Sequence, residues 1–395
     1  MSARLDFSRF TNGCKKLLNM VCTTQGPATR RSGTQFIYDL NSIGFDPADP
    51  QVRHIPFIFN EIQAYTMVFF MHTDGFPRVV FGTGNGLLVY PDPVPEVCPP
   101  TPIFQDLSYA GAGTYNIDYP LTHINQIKVE HDDGVTKTVF VETTDYTLNL
   151  DTPSAGLHDL VITRGSPTGD TLNVYRRNAG ISPGDIVELI LPSTWDVENF
   201  DWAQSADEMY IAQSGLSPHI IKRYGPDCWE LSDPTFVEQP VDWSDANGWP
   251  ERVTFHQQRL AFAANVIRRQ TVWLSRAGDF NSFDPATGAG GDTLDSDAVT
   301  FTLDSGTQNK IIWMLSAKGL NIGTIGNEWT VVGATRTALT PSNILAQRQT
   351  NHGGEQNKPL MVGITTLFME RHGRAINEFV YDFNVDSYKT SDMSV

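Results

Sequence analysis

Apolar and polar positions alternate through most of this chain, and the plainest instance runs from Trp249 to Phe283, WPERVTFHQQRLAFAANVIRRQTVWLSRAGDFNSF. Val253 and Phe255 alternate with polar neighbours, Leu260 and Phe262 do so after a Gln-Gln corner, and Val272 and Leu274 follow a polar loop. Successive side chains of a strand point to opposite faces, so this period of two predicts three half-buried strands. The short connectors allow only antiparallel neighbours. The unit is a meander, the size of one propeller blade.

The same scheme returns along the chain. His54 to Tyr90 predicts strands at Ile55 to Phe59, Ala64 to Met71, Arg78 to Phe81 and Leu87 to Tyr90, with turns at Asp74-Gly75 and Asn85-Gly86. Segments opening near Asn199, Arg252, Lys310 and Leu360 each offer a first strand, a corner, a second strand such as MYIA, LAFA, LNIG or LFME, a hairpin and a third strand. Their openings lie about fifty to sixty residues apart, the spacing of propeller blades. The expected fold class is all-β: a β-propeller of about five antiparallel meander blades carrying an inserted small β-sandwich-like domain. Two alternatives are open for a sixth blade, completion by the two chain ends or a chain clipped at its C-terminus, and closure of the ring is expected from the N-terminal strands.

Four regions follow. Residues 1–90 hold the N-terminal strands and the first blade. Residues 91–111 read as a stiff linker, because six prolines fall between Pro91 and Pro102. Residues 112–180 form the inserted domain, and 181–395 the remaining blades.

Composition narrows the chemistry. With 28 basic and 45 acidic residues in 395, the net charge of -17 opposes adhesion to phosphate backbones, so a sequence-reading nucleic-acid binder is not expected. Cys14, Cys22, Cys98 and Cys228 are scattered without a C-x-x-C pair, which predicts neither a zinc site nor a disulfide framework and fits reduced, cytosolic assembly. Arg4, Asp6 and Arg9 break any leader-like apolar run, and Tyr65 to Met71 is too short to span a bilayer.

Tempting sites weigh lightly. Gly82 to Gly86, GTGNG, has neither the following helix nor the Lys of a phosphate loop. Asp292, Asp295, Asp297 and Asp304 crowd one loop but lack the order of a calcium hand. Glu328, Trp329 and Thr330 echo a sialidase box without its Ser-x-Asp-x-Gly partner. His256, His352 and His372 stand singly. No catalytic residue, metal ligand or cofactor is assigned, and an enzyme is not expected.

Two stretches carry a resemblance. Gln257, Gln258, Arg259, Leu260 and Phe262, then Thr271, Val272 and Trp273, then Ser275, Arg276, Gly278, Asp279 and Phe280 resemble the most recognisable line of the tail nozzle (tail tubular protein B) family of short-tailed phages. Asn12, Gly13, Asn19, Gln25, Gly26, Arg30, Arg31, Gly33, Thr34 and Phe36 are similar to that family's opening pattern, with Ser32 where it usually has Pro. Read on their own residues, these are a strand pair around a Gly26-Pro27 turn with exposed arginines. Between the two, Ile127, Val129, Asp133, Gly134, Thr144, Tyr146, Thr147, Val174, Tyr175 and Arg176 resemble the N-terminal domain of phage tail fibres.

The resemblance implies a structural virion protein: a subunit of a hexameric ring below the portal and adaptor that closes the channel, passes double-stranded DNA at ejection and offers attachment to tail fibres. Its implied partners are copies of itself, the adaptor, the fibre, DNA in transit and the host surface, and its implied place is the virion tail, after assembly in the host cytoplasm. The matched residues are then structural or interface positions. The competing class is a carbohydrate-binding or carbohydrate-cleaving propeller that uses its eight tryptophans and twelve tyrosines as sugar platforms.

Overall fold

The structure, a computed structural model, describes residues 20–22, 28–30, 33, 36–84, 86–91, 107–109, 112–117, 127–132, 137–140, 144–149, 158–163, 170–176, 184–288, 290–304, 306–334, 338–383 and 387–393. The described chain is all-β, built of open antiparallel sheets. Five of these sheets follow one another and supply the core.

Sheet one pairs Val52–Ile58, Ala64–Met71 and Pro77–Thr83 in order, and its last strand is Glu188–Ile190. The expected strand from Leu87 to Tyr90 shrinks to Gly86–Leu87, with Val89 making one isolated bridge to Ile186. Sheet one is therefore completed from beyond the insertion, not within residues 1–90. The backbone donors of Pro77–Thr83 need a partner, and Glu188–Ile190 provides it after the chain returns.

Sheets two to five are sequential meanders of four strands each: Phe200–Ser205 to Cys228–Ser232, Arg252–His256 to Val299–Thr302, Ile311–Ser316 to Ile344–Thr350, and Leu360–Val362 to Ser387–Asp392. Three strands per unit were legible in the pattern; each unit has a fourth. Val299–Thr302 was hidden because it joins Thr271–Leu274 only after a long loop, and Ile344–Thr350 because its half-exposed ILAQRQT has little alternation.

Each sheet packs on the next. Trp229 of sheet two stacks on Phe81 of sheet one at 4.0 Å between ring centroids and takes Phe57 and Tyr65 edge-on. Leu260, Phe262 and Trp273 of sheet three meet Tyr210 and Ala212 of sheet two, with Trp243 wedged between them. The small residues Ala261 and Ala263 turn the other way, against Ile311, Met314 and Ile322 of sheet four. Trp313 of sheet four lies on Phe368 of sheet five. Gly323 makes room for that indole, since a Cβ there would fall 1.9 Å from Trp313 Cε2. The outer face of sheet one, Val68, Phe70 and Val80, is covered by Leu40, Ile43 and Phe45. A short 3-10 turn, Leu40–Ile43, holds that cover; Asp39 caps its start and Gly44, at φ 82°, ends it.

Sheet three was expected to be half-buried and is covered on both faces. Arg252, Thr254 and His256, the polar members of its first strand, are all buried, and His256 Nδ1 meets Ser316 Oγ of sheet four at 2.8 Å.

Met20–Cys22 pairs with Ala28–Arg30, the expected N-terminal strand pair, and among the described residues these strands pair only with each other. Between residues 107 and 176 lie two further antiparallel sheets, of four and three strands. One strand, Leu107–Tyr109, falls inside the stretch expected to be linker and pairs with Asp170–Arg176. The absence of a disulfide was also expected, yet Cys228 is disulfide-bonded.

Candidate functional site

The structure brings the matched residues of sheet three into one network. Arg252–His256 and Arg259–Ala263 are joined by Gln257 and Gln258 alone, at φ 48° and 61°. A two-residue hairpin whose central residues are both left-handed follows the twist of its strands, but Asn-Gly is the usual solution. Two glutamines hold it here through what they bond. Gln257 Oε1 accepts the Leu339 N–H at 2.7 Å, tying the corner to the lead into the last strand of sheet four, and the Gln258 carbonyl accepts the Gly278 N–H at 2.8 Å.

Arg259 is buried and spends its guanidinium on backbone. Nη1 donates to the carbonyls of Ser275, Ser296 and Asp297, and Nη2 to that of Asp295 at 2.8 Å. It pins the acidic loop to the meander. Ser275 Oγ accepts the Leu260 N–H at 2.9 Å and donates to the Arg276 carbonyl. Gly278, at φ 78°, makes the turn that follows, where Asp279 Oδ1 accepts the Asn281 N–H. Leu260 and Trp273 are core. Of the N-terminal set, Arg30 and Gly33 are exposed, while Gln25, Gly26 and Arg31 lie outside the described residues.

The other candidates separate. Asp297 is wholly buried: Leu294 and Thr287 donate backbone N–H groups to it, the Thr287 hydroxyl donates at 2.5 Å, and Arg276 Nε stands 3.4 Å away. Burial works to raise its pKa, but these donors win and hold the carboxyl down to about 2. Asp292, Asp295 and Asp304 are exposed. Glu328 is fully buried; Oε2 accepts from the Thr350 hydroxyl and the His352 N–H while Oε1 has no hydrogen-bond partner among the described residues, and burial raises its pKa. Burial pushes the His256 imidazole down to about 4.

One site escaped the sequence pattern altogether. The first strands of successive sheets run side by side, Phe200–Ser205 against Arg252–His256 and that against Ile311–Ser316. A cleft of about 300 Å³, its mouth included, opens where they converge, lined by Arg53, Phe200, Asp201, Arg252, Trp313 and Lys358 among others. Arg53 donates to the carbonyls of Glu198 and Phe200 and lies over the Phe200 ring at 4.3 Å. Lys358, from the lead into sheet five, reaches Asp201 Oδ1 at 2.9 Å and the Trp202 carbonyl. Asp201 Oδ2 accepts the Val253 N–H at 3.0 Å.

Arg252 is 3 % exposed, and only its Nη1 is engaged, on the Glu251 carbonyl at 2.9 Å. Nε and Nη2 have no partner among the described residues. Each of these residues reads in sequence as an ordinary strand or loop charge, spread from 53 to 358, so spacing gave no signal. Only the stacking of sheets assembles them.

No family model matches the chain, and no curated protein matches it. The chemistry of the two sites therefore stands on their geometry. The motif network spends its Arg259, Ser275 and Gln257 hydrogen bonds on backbone and holds that backbone in place. The convergence cleft presents unspent donors and charge.

Proposed function

We propose that this chain is a structural subunit of a phage tail nozzle: a propeller of stacked meander blades, with a small β domain inserted in the first, that assembles into a six-fold ring below the portal and adaptor, closes the channel and passes DNA during ejection. The observation that carries this reading is the succession of five antiparallel sheets, four of them sequential four-stranded meanders, each packed on the next, in the chain whose motif stretches resemble that family.

The motif residues act as a scaffold in it. Arg259, Ser275 and the Gln-Gln corner fix one blade and its long loop without presenting a reactive group. The net charge of -17 suits a conduit, because an acidic surface repels phosphates and lets DNA slide. The inserted domain, which interrupts sheet one at its edge, offers a place for fibre or host contact.

The sugar-platform alternative is disfavoured by the tryptophans. Trp195, Trp229, Trp243, Trp273, Trp313 and Trp329 are buried, and Trp202 and Trp249 are half-buried. A sugar platform needs an open indole face.

Quantitative mass spectrometry of virions from the encoding phage, normalised to the major capsid protein, tests the proposal. Roughly six copies per particle are expected for a closed cyclic ring. Absence from the virion overturns it.

A further inference from the structure

We propose that the cleft where the first strands converge binds a small phosphate-type oxyanion, seated on the Arg252 guanidinium and flanked by Arg53 and Lys358. This goes beyond the nozzle reading and does not depend on it.

The argument begins with unspent donors. Arg252 is almost fully buried, yet among the described residues its Nε and Nη2 make no hydrogen bond, and these two N–H groups form the edge of a guanidinium that donates to two oxygens side by side. A buried cation left unpaired is among the costlier defects a fold can carry. Trp313, whose side chain also borders the cleft, has an indole Nε1 that is buried and without a hydrogen-bond partner among the described residues.

Charge points the same way. Three cations, Arg53, Arg252 and Lys358, border the cleft, against two carboxylates, the buried Asp201 and the exposed Glu198. The Asp201 oxygens are already taken by Lys358, the Trp202 N–H and the Val253 N–H. The Glu198 side chain is exposed, and it is the Glu198 backbone carbonyl that accepts from Arg53. Three cations against two carboxylates leave one positive charge in excess, which is not the background of a chain of net charge -17. Asp201 and Glu251 offset part of the Arg252 charge without bonding its Nε or Nη2, and an oxyanion seated there would take both N–H groups and the remaining charge. The cleft opens to solvent at its mouth, so the oxyanion is either free or the terminal monoester of a larger molecule that stays outside.

The experiment is calorimetric titration of the intact chain with inorganic phosphate, with glycerol phosphate as the monoester, and with acetate, all at one ionic strength. Saturable one-site binding of a phosphate form is expected, weakened about tenfold or more in Arg252→Met and by a smaller factor in Lys358→Met. Binding of inorganic phosphate alone assigns the site to the free ion. Equal binding of glycerol phosphate assigns it to a terminal phosphate on a larger molecule. Both support the proposal. Should Arg252→Met fail to fold, Arg252→Lys keeps the charge and removes the fork, and with Lys358→Met it carries the decision. No saturable binding of either phosphate form, equal affinity for acetate, or unchanged affinity in the variants overturns the proposal.

Discussion

Sheets three and five are built on the same four-stranded plan and differ in what surrounds them. In sheet three the second strand, Arg259–Ala263, is buried at every position, because sheets two and four press on its two faces. In sheet five, Thr366, Phe368, Asn377 and Phe379 are buried toward sheet four, while Leu360, Val362 and Ile376 on the other face are exposed. The sequence alternation is similar in both. In sheet three it separates large side chains from small ones, Leu260 and Phe262 from Ala261 and Ala263; in sheet five it separates inside from outside. A period of two thus reports that a strand has two faces, and only the size of the residues on the second face tells whether that face is covered.

The largest expected effect breaks this contrast directly. Phe262→Ala empties a site lined by Trp243, Phe236 and Phe283 and should cost about 3–5 kcal/mol in urea unfolding. Ala261→Leu, pushed into sheet four, should cost about 1–3 kcal/mol through overpacking. If Ala261→Leu is neutral, sheets three and four do not pack as tightly as the core cluster requires.

A second effect sits on the same covered face and depends on pH. The His256 imidazole is buried, and burial lowers its pKa to about 4 from the ordinary 6.5. Between those values the unfolded chain binds a proton that the folded chain does not, so stability is full above pH 6.5 and falls as the pH drops toward 4. The loss approaches about 3 kcal/mol. Urea midpoints measured across this window should decline in the native chain and decline less in His256→Gln. Below it Asp297 takes over: its depressed pKa contributes stability above pH 4 that is lost toward about 2, a loss that Asp297→Asn should remove.

How far the sequence could be read follows from the same contrast. Strands with alternating β-branched and aromatic residues, such as Met209 to Ala212 or Thr271 to Leu274, were legible because the signal is local. The completion of sheet one by Glu188–Ile190 was not, since the pairing spans more than a hundred residues and the strand is three residues long. The motif residues could be singled out by resemblance, but their work, Arg259 on four carbonyls and Gln257 on Leu339, appears only with the loops in place. Arg53, Asp201, Arg252 and Lys358 had no local signal at all, because what makes them a site is the convergence of separate sheets.

A smaller effect sharpens the comparison at the corner of sheet three. Gln258 holds φ 61° with no side-chain bond described, so Gln258→Gly should relieve left-handed strain and raise stability by up to about 1 kcal/mol, offset in part by the entropy of the unfolded chain. Gln257→Gly relieves the same strain and loses the bond to Leu339, so it should gain less or turn destabilising. Denaturant unfolding of the two variants separates the backbone contribution from the tie. Equal gains in both would show that the Gln257 side chain does not hold sheet three to the lead into the last strand of sheet four.

The smallest expected effect lies on the uncovered face of sheet five. Leu360 is 65 % exposed and Val362 58 % exposed, so little apolar area leaves water there on folding. Leu360→Ser and Val362→Ser should each change stability by no more than about 0.5 kcal/mol, as surface substitutions generally do. Phe368→Ala, one strand away but facing Trp313, should behave like a core truncation, at about 3–5 kcal/mol. The ratio between the two faces is the sharper readout, because both substitutions act on one sheet with one set of backbone bonds. A Leu360→Ser cost comparable to that of Phe368→Ala in dilute solution would mean that the second face of sheet five is covered after all, and the two sheets would then differ only in the size of the residues that cover them.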